Sequence, residues 1–345
     1  MSAAVERCDL APGLSVSRVL TGMWQVADME RDGRSLDLDA AADAMEFYAG
    51  AGFTSFDMAD HYGSAEVIAG RLSSRLSPSS LQLLTKWVPK PGPMTRVVVR
   101  KAVETSLRRL GLERLDLLQF HTWTYEDPGW LDGLRFLQEL VDEGLIKHLG
   151  LTNFDTEHLL VAVEGGTSIA SNQICFSLLD RRAADRMQRV CLSKNVKLLA
   201  YGTLAGGFLT ERWLGQPEPR FEDLVTQSQM KYKRFINEAG GWDVFQSLLA
   251  AVSRVANRKG VSMANVAARY VLEQQAVCGV IIGARLSKSE HITDTLRLFE
   301  FSLDKTSQED INLAVGRLKP LPGDCGDEYR KPPFLTAAGD LSDHL

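Results

Sequence analysis

An acid, a phenol, an ammonium and an imidazole stand at the ends of three successive apolar runs: Asp57 and Tyr62 at and beyond Thr54 to Ala59, Lys86 in Leu81 to Trp87, and His121 closing Leu115 to His121. Short apolar runs of this kind, with turn signals on either side, read as buried strands. If the three strands lie parallel and adjacent, their carboxyl ends share one rim and the four side chains converge. An ionised carboxylate in the largely apolar run around Asp57 is costly without a partner, and Lys86 on the next strand is the obvious one. A buried ammonium close to Tyr62 favours the phenolate and draws the phenol down from about 10 toward neutrality. Tyr62 could then serve as general acid or base. A neutral His121 could hydrogen-bond an oxygen on which negative charge develops. The set is suited to moving a proton at a carbonyl oxygen. Singly, each residue is more often a solvated or structural one; the joint pattern carries the reading.

The elements that must position these groups repeat along the chain. Eight apolar runs (Arg18 to Trp24, Thr54 to Ala59, Leu81 to Trp87, Leu115 to His121, Ile146 to Thr152, Ile169 to Phe176, Val196 to Tyr201 and Val277 to Gly283) alternate with segments of helical period. Leu38, Ala41, Met45 and Tyr48 recur at steps of three and four and stop at Gly50 and Gly52; Val99, Val103, Leu107 and Leu110 stop at Gly111; Leu134, Leu137 and Val141 stop at Gly144. Glycines there supply the left-handed turn back toward a strand. Eight βα units fit a closed (β/α)8 TIM barrel better than an open sheet. The expectation is an α/β chain of one domain spanning residues 1–345, with a loop insertion at about 211–245 after the seventh strand and a C-terminal tail at about 303–345. Both irregular segments are expected to overhang the catalytic rim.

Bulk properties narrow the function classes. The 345 residues carry a formal charge of −5 with acids and bases interspersed, which gives no nucleic-acid or anionic-membrane footprint. Five widely spaced cysteines (Cys8, Cys175, Cys191, Cys278, Cys325) form no Cys-x-x-Cys, so neither a zinc site nor a disulfide framework is expected, and no metal. No apolar run approaches a membrane span and the first residues hold no signal-like core, so a cytoplasmic protein is expected. Neither Gly-x-Gly-x-x-Gly nor a Walker-type loop is present, so a dinucleotide would need another seat.

The segments Phe-Asp57-Met-Ala-Asp-His-Tyr62-Gly-Ser-Ala-Glu66, Leu-Thr-Lys86 and Leu-Leu-Gln-Phe-His121 resemble, in order and spacing, three signatures of the aldo-keto reductase superfamily. The resemblance implies catalytic Asp57, Tyr62, Lys86 and His121, and a hydride exchanged between nicotinamide and a carbonyl carbon. It also implies a cofactor surface. Gly22 and Met23, which with Trp24 end the first strand where the family places its first pocket wall, would contact the cofactor, as would Asp57. Thr152, Asn153 and Gln173 would meet the carboxamide, Tyr201 would stack on the ring, and Gly202, Leu204 and Gly206 would approach the pyrophosphate. Gly283, Arg285, Ser287, Lys288 and His291 resemble the clamp on the adenosine end. Barrels often bind phosphate after strands seven and eight, and Arg285 or Lys288 could grip a 2′-phosphate, which favours NADP(H), with NAD(H) as the alternative. Asp294-Thr295 departs from the Asn usual near the end of that segment. Trp24, Trp87 and Trp123 lie near strand ends and are candidates for an aromatic substrate pocket. The expected function is an NADP(H)-dependent oxidoreductase acting on a small-molecule aldehyde, ketone or alcohol, as a monomer or small homo-oligomer. Two other readings stand beside it: a cofactor-binding regulatory or channel-associated subunit, and an aldolase-like barrel using Lys86 as a Schiff-base lysine.

Overall fold

The computed structural model describes residues 4–26, 36–77, 80–90, 92–286 and 291–335. Ten strands are present among them: β1 (Arg7–Ala11), β2 (Leu14–Ser17), β3 (Val19–Gly22), β4 (Ser55–Asp57), β5 (Gln82–Trp87), β6 (Leu115–Phe120), β7 (Ile146–Thr152), β8 (Ile169–Cys175), β9 (Lys197–Tyr201) and β10 (Val277–Gly283). β3 to β10 close into a parallel barrel in chain order, sealed where β10 pairs with β3 from Val280 opposite Val19 to Gly283 opposite Gly22. The eight expected runs are these eight strands, and the (β/α)8 expectation is borne out.

Local chemistry fixes the helices between them. Helix Leu38–Gly50 starts where the Asp37 side chain accepts from the backbone N–H groups of Asp39 and Ala40. Helix Arg96–Leu110 is capped by Thr95 and ends at Gly111, whose φ of 66° is the left-handed stop that glycine supplies without strain. Buried faces such as Val99, Val103, Leu107 and Leu110 pack on the outside of the barrel.

Three features differ from the sequence expectation. β1 and β2 form an antiparallel hairpin that the N-terminal residues did not announce, because its runs are short and broken by the Pro12-Gly13 turn, where Gly13 has a φ of 69°. Leu10, Leu14 and Val16 of this hairpin pack with the inward Leu20, Leu84, Leu117 and Leu199 and so plug the end opposite the catalytic rim. Residues 211–245 are not a plain loop: helix Gln227–Glu238 lies within them, with Thr226 capping it. The tail likewise begins with helix Lys305–Val315, started by Asp304, whose carboxylate accepts from Ser307 N–H.

Because the plug seals the barrel by apolar contact, Leu14→Ala is expected to destabilise the fold by about 2–4 kcal/mol, read as a lower midpoint in urea unfolding. An unchanged midpoint would show that the hairpin only rests on the barrel.

Candidate active site

Strand register brings the polar groups into one layer above the apolar plug. Asp57 pairs with Gly22 on one side, Lys86 with Gln119, Gln119 with Gly150, and Thr152 with Gln173. Alternation then aims Asp57, Lys86, Gln119 and Gln173 inward. Gly150 makes the room: a Cβ there would sit 2.6 Å from Ser171 Oγ and 3.2 Å from Gln119 Cγ.

Asp57 and Lys86 are 3% and 2% exposed, so neither charge is screened by water. Lys86 Nζ donates to Asp57 Oδ2 at 2.6 Å and to the Met58 carbonyl at 3.0 Å. The other carboxylate oxygen, Oδ1, accepts from Gln119 Nε2 at 3.0 Å and Gln173 Nε2 at 2.7 Å. Gln173 Nε2 also reaches Gln119 Oε1 at 2.8 Å, closing the network. Burial lowers the Lys86 pKa from the usual lysine range, and the Asp57 carboxylate opposes that shift. Gln119 was not singled out in the sequence; its signal was a second polar residue, after Asp116, in an apolar run two residues before His121.

Tyr62 lies just past β4, and the Lys86 ammonium stands 5.1 Å from the centroid of its ring. Trp24 meets the same ring edge-on at 5.0 Å and His61 at 4.8 Å. The loop carrying Tyr62 is tied down from beneath: buried Glu66 accepts from Thr85 Oγ1 at 2.6 Å and from Arg109 at 3.1 Å, and Arg109 also donates to the Asp60 carbonyl at 2.9 Å. His121 is buried past β6, its ring 4.6 Å from Trp123 and 5.9 Å from Tyr329. Trp24, Tyr62, His121 and Trp123 therefore share the rim. Trp87 does not: adjacent to inward Lys86, it faces the helices and packs on Phe120 at 5.4 Å, so it is core, not pocket wall. Strand alternation puts it on the opposite face.

Of the residues suggested for a cofactor, Gly22, Met23, Thr152, Asn153, Gln173, Tyr201, Gly202 and Gly283 lie at or just past the carboxyl ends of barrel strands. Thr152 Oγ1 is buried without a hydrogen-bond partner, an arrangement that an incoming polar group would relieve. Gln25 Oε1 is buried and unpartnered too, beside the paired Gly22 and Gly283; a Cβ on Gly283 would lie 2.1 Å from it. Gln25 was missed in the sequence, which offers no motif for it. Met23 N–H holds the Asp57 carbonyl at 2.9 Å. Asn153 adopts a left-handed φ of 57°, and its Oδ1 accepts from Tyr201 Oη at 2.7 Å. The chain then turns through Gly202, Leu204 and Gly206; Gly202 has a φ of 69°, and Tyr232 Oη occupies the space a side chain would need there. Arg285 is exposed and has no hydrogen bond or ion pair among the described residues, and His291 is exposed before helix Ile292–Leu296. Ser287 and Lys288 lie outside the described residues. Asp294, at the position of departure, accepts from Ser262 Oγ at 2.8 Å and from Asn265 Nδ2 at 3.2 Å. These groups are chemically compatible with a nicotinamide dinucleotide: Thr152 Oγ1 and Gln25 Oε1 are buried polar atoms without a partner, and Arg285 is an exposed cation with no ion pair among the described residues.

The tail completes the rim. Buried Glu328 pairs with Arg182 at 2.9 Å and Lys231 at 3.3 Å, and Lys231 donates to Tyr329 Oη at 2.7 Å. Burial alone would raise the Glu328 carboxyl; Arg182 and Lys231 outweigh it and hold it down to about 2. Cys175, Asp180 and Glu328 lie close together, but Arg182 and Lys231 together already balance the two carboxylates, which leaves no demand for a metal ion.

The sequence profile of the Aldo/keto reductase family matches residues 18–314. The chain belongs to that family, whose members are oxidoreductases of carbonyl and alcohol groups. Among curated relatives it is 24% identical over 334 residues to aldo-keto reductase YhdN of Bacillus subtilis (strain 168), covering 93% of this chain and 96% of that one. It is 28% identical over 193 residues to flagellar radial spoke protein 5 of Chlamydomonas reinhardtii, matching 51% of this chain and spanning only 36% of that protein's length. In fold it resembles the glycerol dehydrogenase of Gluconobacter oxydans, with a TM-score of 0.77 at 24% identity over 94% of this chain and 98% of the other. No helix among the described residues is long and apolar enough to cross a membrane.

Lys86→Met leaves Asp57 buried and uncompensated, and is expected to destabilise by about 3–5 kcal/mol in urea unfolding. Adding Asp57→Asn should recover much of that loss, since the cycle isolates the pair. If the double variant is as weak as the single one, the pair is not coupled.

Proposed function

We propose that this chain is an NADP(H)-dependent oxidoreductase that interconverts an aldehyde or ketone with the corresponding alcohol, with Tyr62 as proton donor and acceptor. The observation that carries the reading is the buried Lys86 ammonium, 2.6 Å from Asp57 Oδ2 and 5.1 Å from the centre of the Tyr62 ring. An ammonium so close to a phenol in a low-dielectric site stabilises the phenolate, which brings Tyr62 nearer to proton exchange at ordinary pH. Asp57 keeps the ammonium in place and, through Gln119 and Gln173, is itself held in one orientation. His121 orients the substrate oxygen, and Trp24 and Trp123 supply apolar walls that shed water. When bound, the nicotinamide supplies or takes the hydride.

On the cofactor side, Thr152 Oγ1 and Asn153 serve the carboxamide and Tyr201 the ring, with the turn at Gly202 and Gly206 under the pyrophosphate. Gln173 is partly committed elsewhere, because its amide N–H groups serve Asp57 and Gln119. Arg285, exposed and without an acidic partner among the described residues, supports a 2′-phosphate and hence NADP(H) over NAD(H). The five cysteines stand as free thiols, which supports a reducing cytoplasm.

The reading as a non-catalytic subunit draws on the partial likeness to the radial spoke protein, yet the assembled Asp57, Lys86, Tyr62 and His121 weigh against it. A Schiff-base role for Lys86 is opposed by its two hydrogen bonds and deep burial.

Tyr62→Phe is expected to retain NADPH affinity by fluorescence titration and to lose turnover by about 10²- to 10⁴-fold across a carbonyl panel. Equal rates in variant and parent would remove Tyr62 from the role. Arg285→Ala should raise the NADPH Kd about tenfold and leave the NADH Kd nearly unchanged; equal losses would mean that Arg285 does not read the 2′-phosphate.

A further inference from the structure

Arg330 comes from the tail, far from every strand end in sequence, yet its guanidinium reaches three backbone carbonyls around the site. Nη1 donates to Asn153 O at 2.6 Å and to Gly326 O at 3.1 Å, and Nη2 to Thr122 O at 2.5 Å. Its plane lies over the Tyr125 ring, 4.2 Å from the centroid. Tyr125 is itself fixed, stacked on His158 at 3.5 Å, and its hydroxyl donates to the same Asn153 carbonyl at 3.4 Å. One planar fork thus bridges the residue after His121 and the residue after Thr152. Lysine, a single point charge, cannot reproduce two divergent donors of this kind.

The bridged positions need holding. Asn153 sits at a φ of 57°, which costs a non-glycine residue energy unless the surroundings enforce it. Its N–H is bound to Gln173 O at 2.8 Å, its Oδ1 to Tyr201, and its carbonyl to Arg330. Gly326 allows the approach: a Cβ there would lie 2.1 Å from Asn153 O and 2.6 Å from Arg330 Nη1.

Resting on the function proposed above, we infer that Arg330 is a positioning residue that sets the nicotinamide-carboxamide seat at Thr152 and Asn153 and the His121 loop relative to each other. The C-terminal tail is then a working part of the nicotinamide end of the site, and not of the adenosine end. Loss of the fork frees Asn153 to relax from its left-handed conformation and lets the loop after His121 drift, and displacements of about 1 Å at such positions can cost about 100-fold in rate.

The test separates the two ends of the cofactor. NADPH is titrated by fluorescence and adenosine 2′,5′-bisphosphate by calorimetry, against the full-length parent, Arg330→Ala and Arg330→Lys. In Arg330→Ala the NADPH Kd should rise about tenfold and the bisphosphate Kd stay unchanged, kcat should fall about 100-fold, and added guanidinium should restore part of both losses. Arg330→Lys should show the same one-sided pattern to a smaller degree, and carries the test if the alanine variant does not fold. Unchanged NADPH binding and kcat, or equal losses for both ligands, overturn the positioning role while the parent still binds NADPH. A parent that binds neither ligand overturns the proposed function itself, and this inference with it.

Discussion

The arrangement depends on a lysine ammonium and an aspartate carboxylate buried side by side inside a barrel. Removing either charge from water costs several kcal/mol, and that cost is offset only where geometry is good and every remaining lone pair is met. Here Lys86 spends donors on Asp57 and the Met58 carbonyl, and Asp57 spends its second oxygen on two glutamine amides. In the proposed function, the satisfied pair polarises Tyr62 in a medium where charge acts strongly.

The rest of the molecule protects that condition. The N-terminal hairpin closes the far end of the barrel with leucines and a valine, which sets an apolar layer beneath the pair. Gly150 leaves space for Gln119 between neighbouring strands, and the Glu66, Thr85 and Arg109 network anchors the loop that carries Tyr62. From above, the tail is fastened by its own buried ion pairs, Glu328 with Arg182 and Lys231. Three irregular parts of the chain therefore serve one polar layer.

Barrel architecture alone leaves the chemistry open, since the same frame hosts many reactions. What distinguishes this chain is the inward side-chain layer and the rim above it. Trp87 illustrates how finely this is set: adjacent in sequence to Lys86, it points at the helices and only packs. A one-residue change of register would exchange the two and bury an indole where an ammonium is needed.

The sequence by itself determined the barrel class, the eight strands, the glycine stops of three helices and the candidate tetrad, because hydrophobic periodicity, glycine stops and the side chains at strand ends are local properties that survive in one dimension. It did not reveal the plugging hairpin, whose strands are too short to show a period, nor the helices inside residues 211–245 and after residue 303, where capping residues Thr226 and Asp304 were the available signs. Gln25 and Arg330 were silent, and Gln119 showed only as a polar residue within a strand run. Each acts through partners distant along the chain, and only closure of the barrel and return of the tail bring those partners within hydrogen-bond reach.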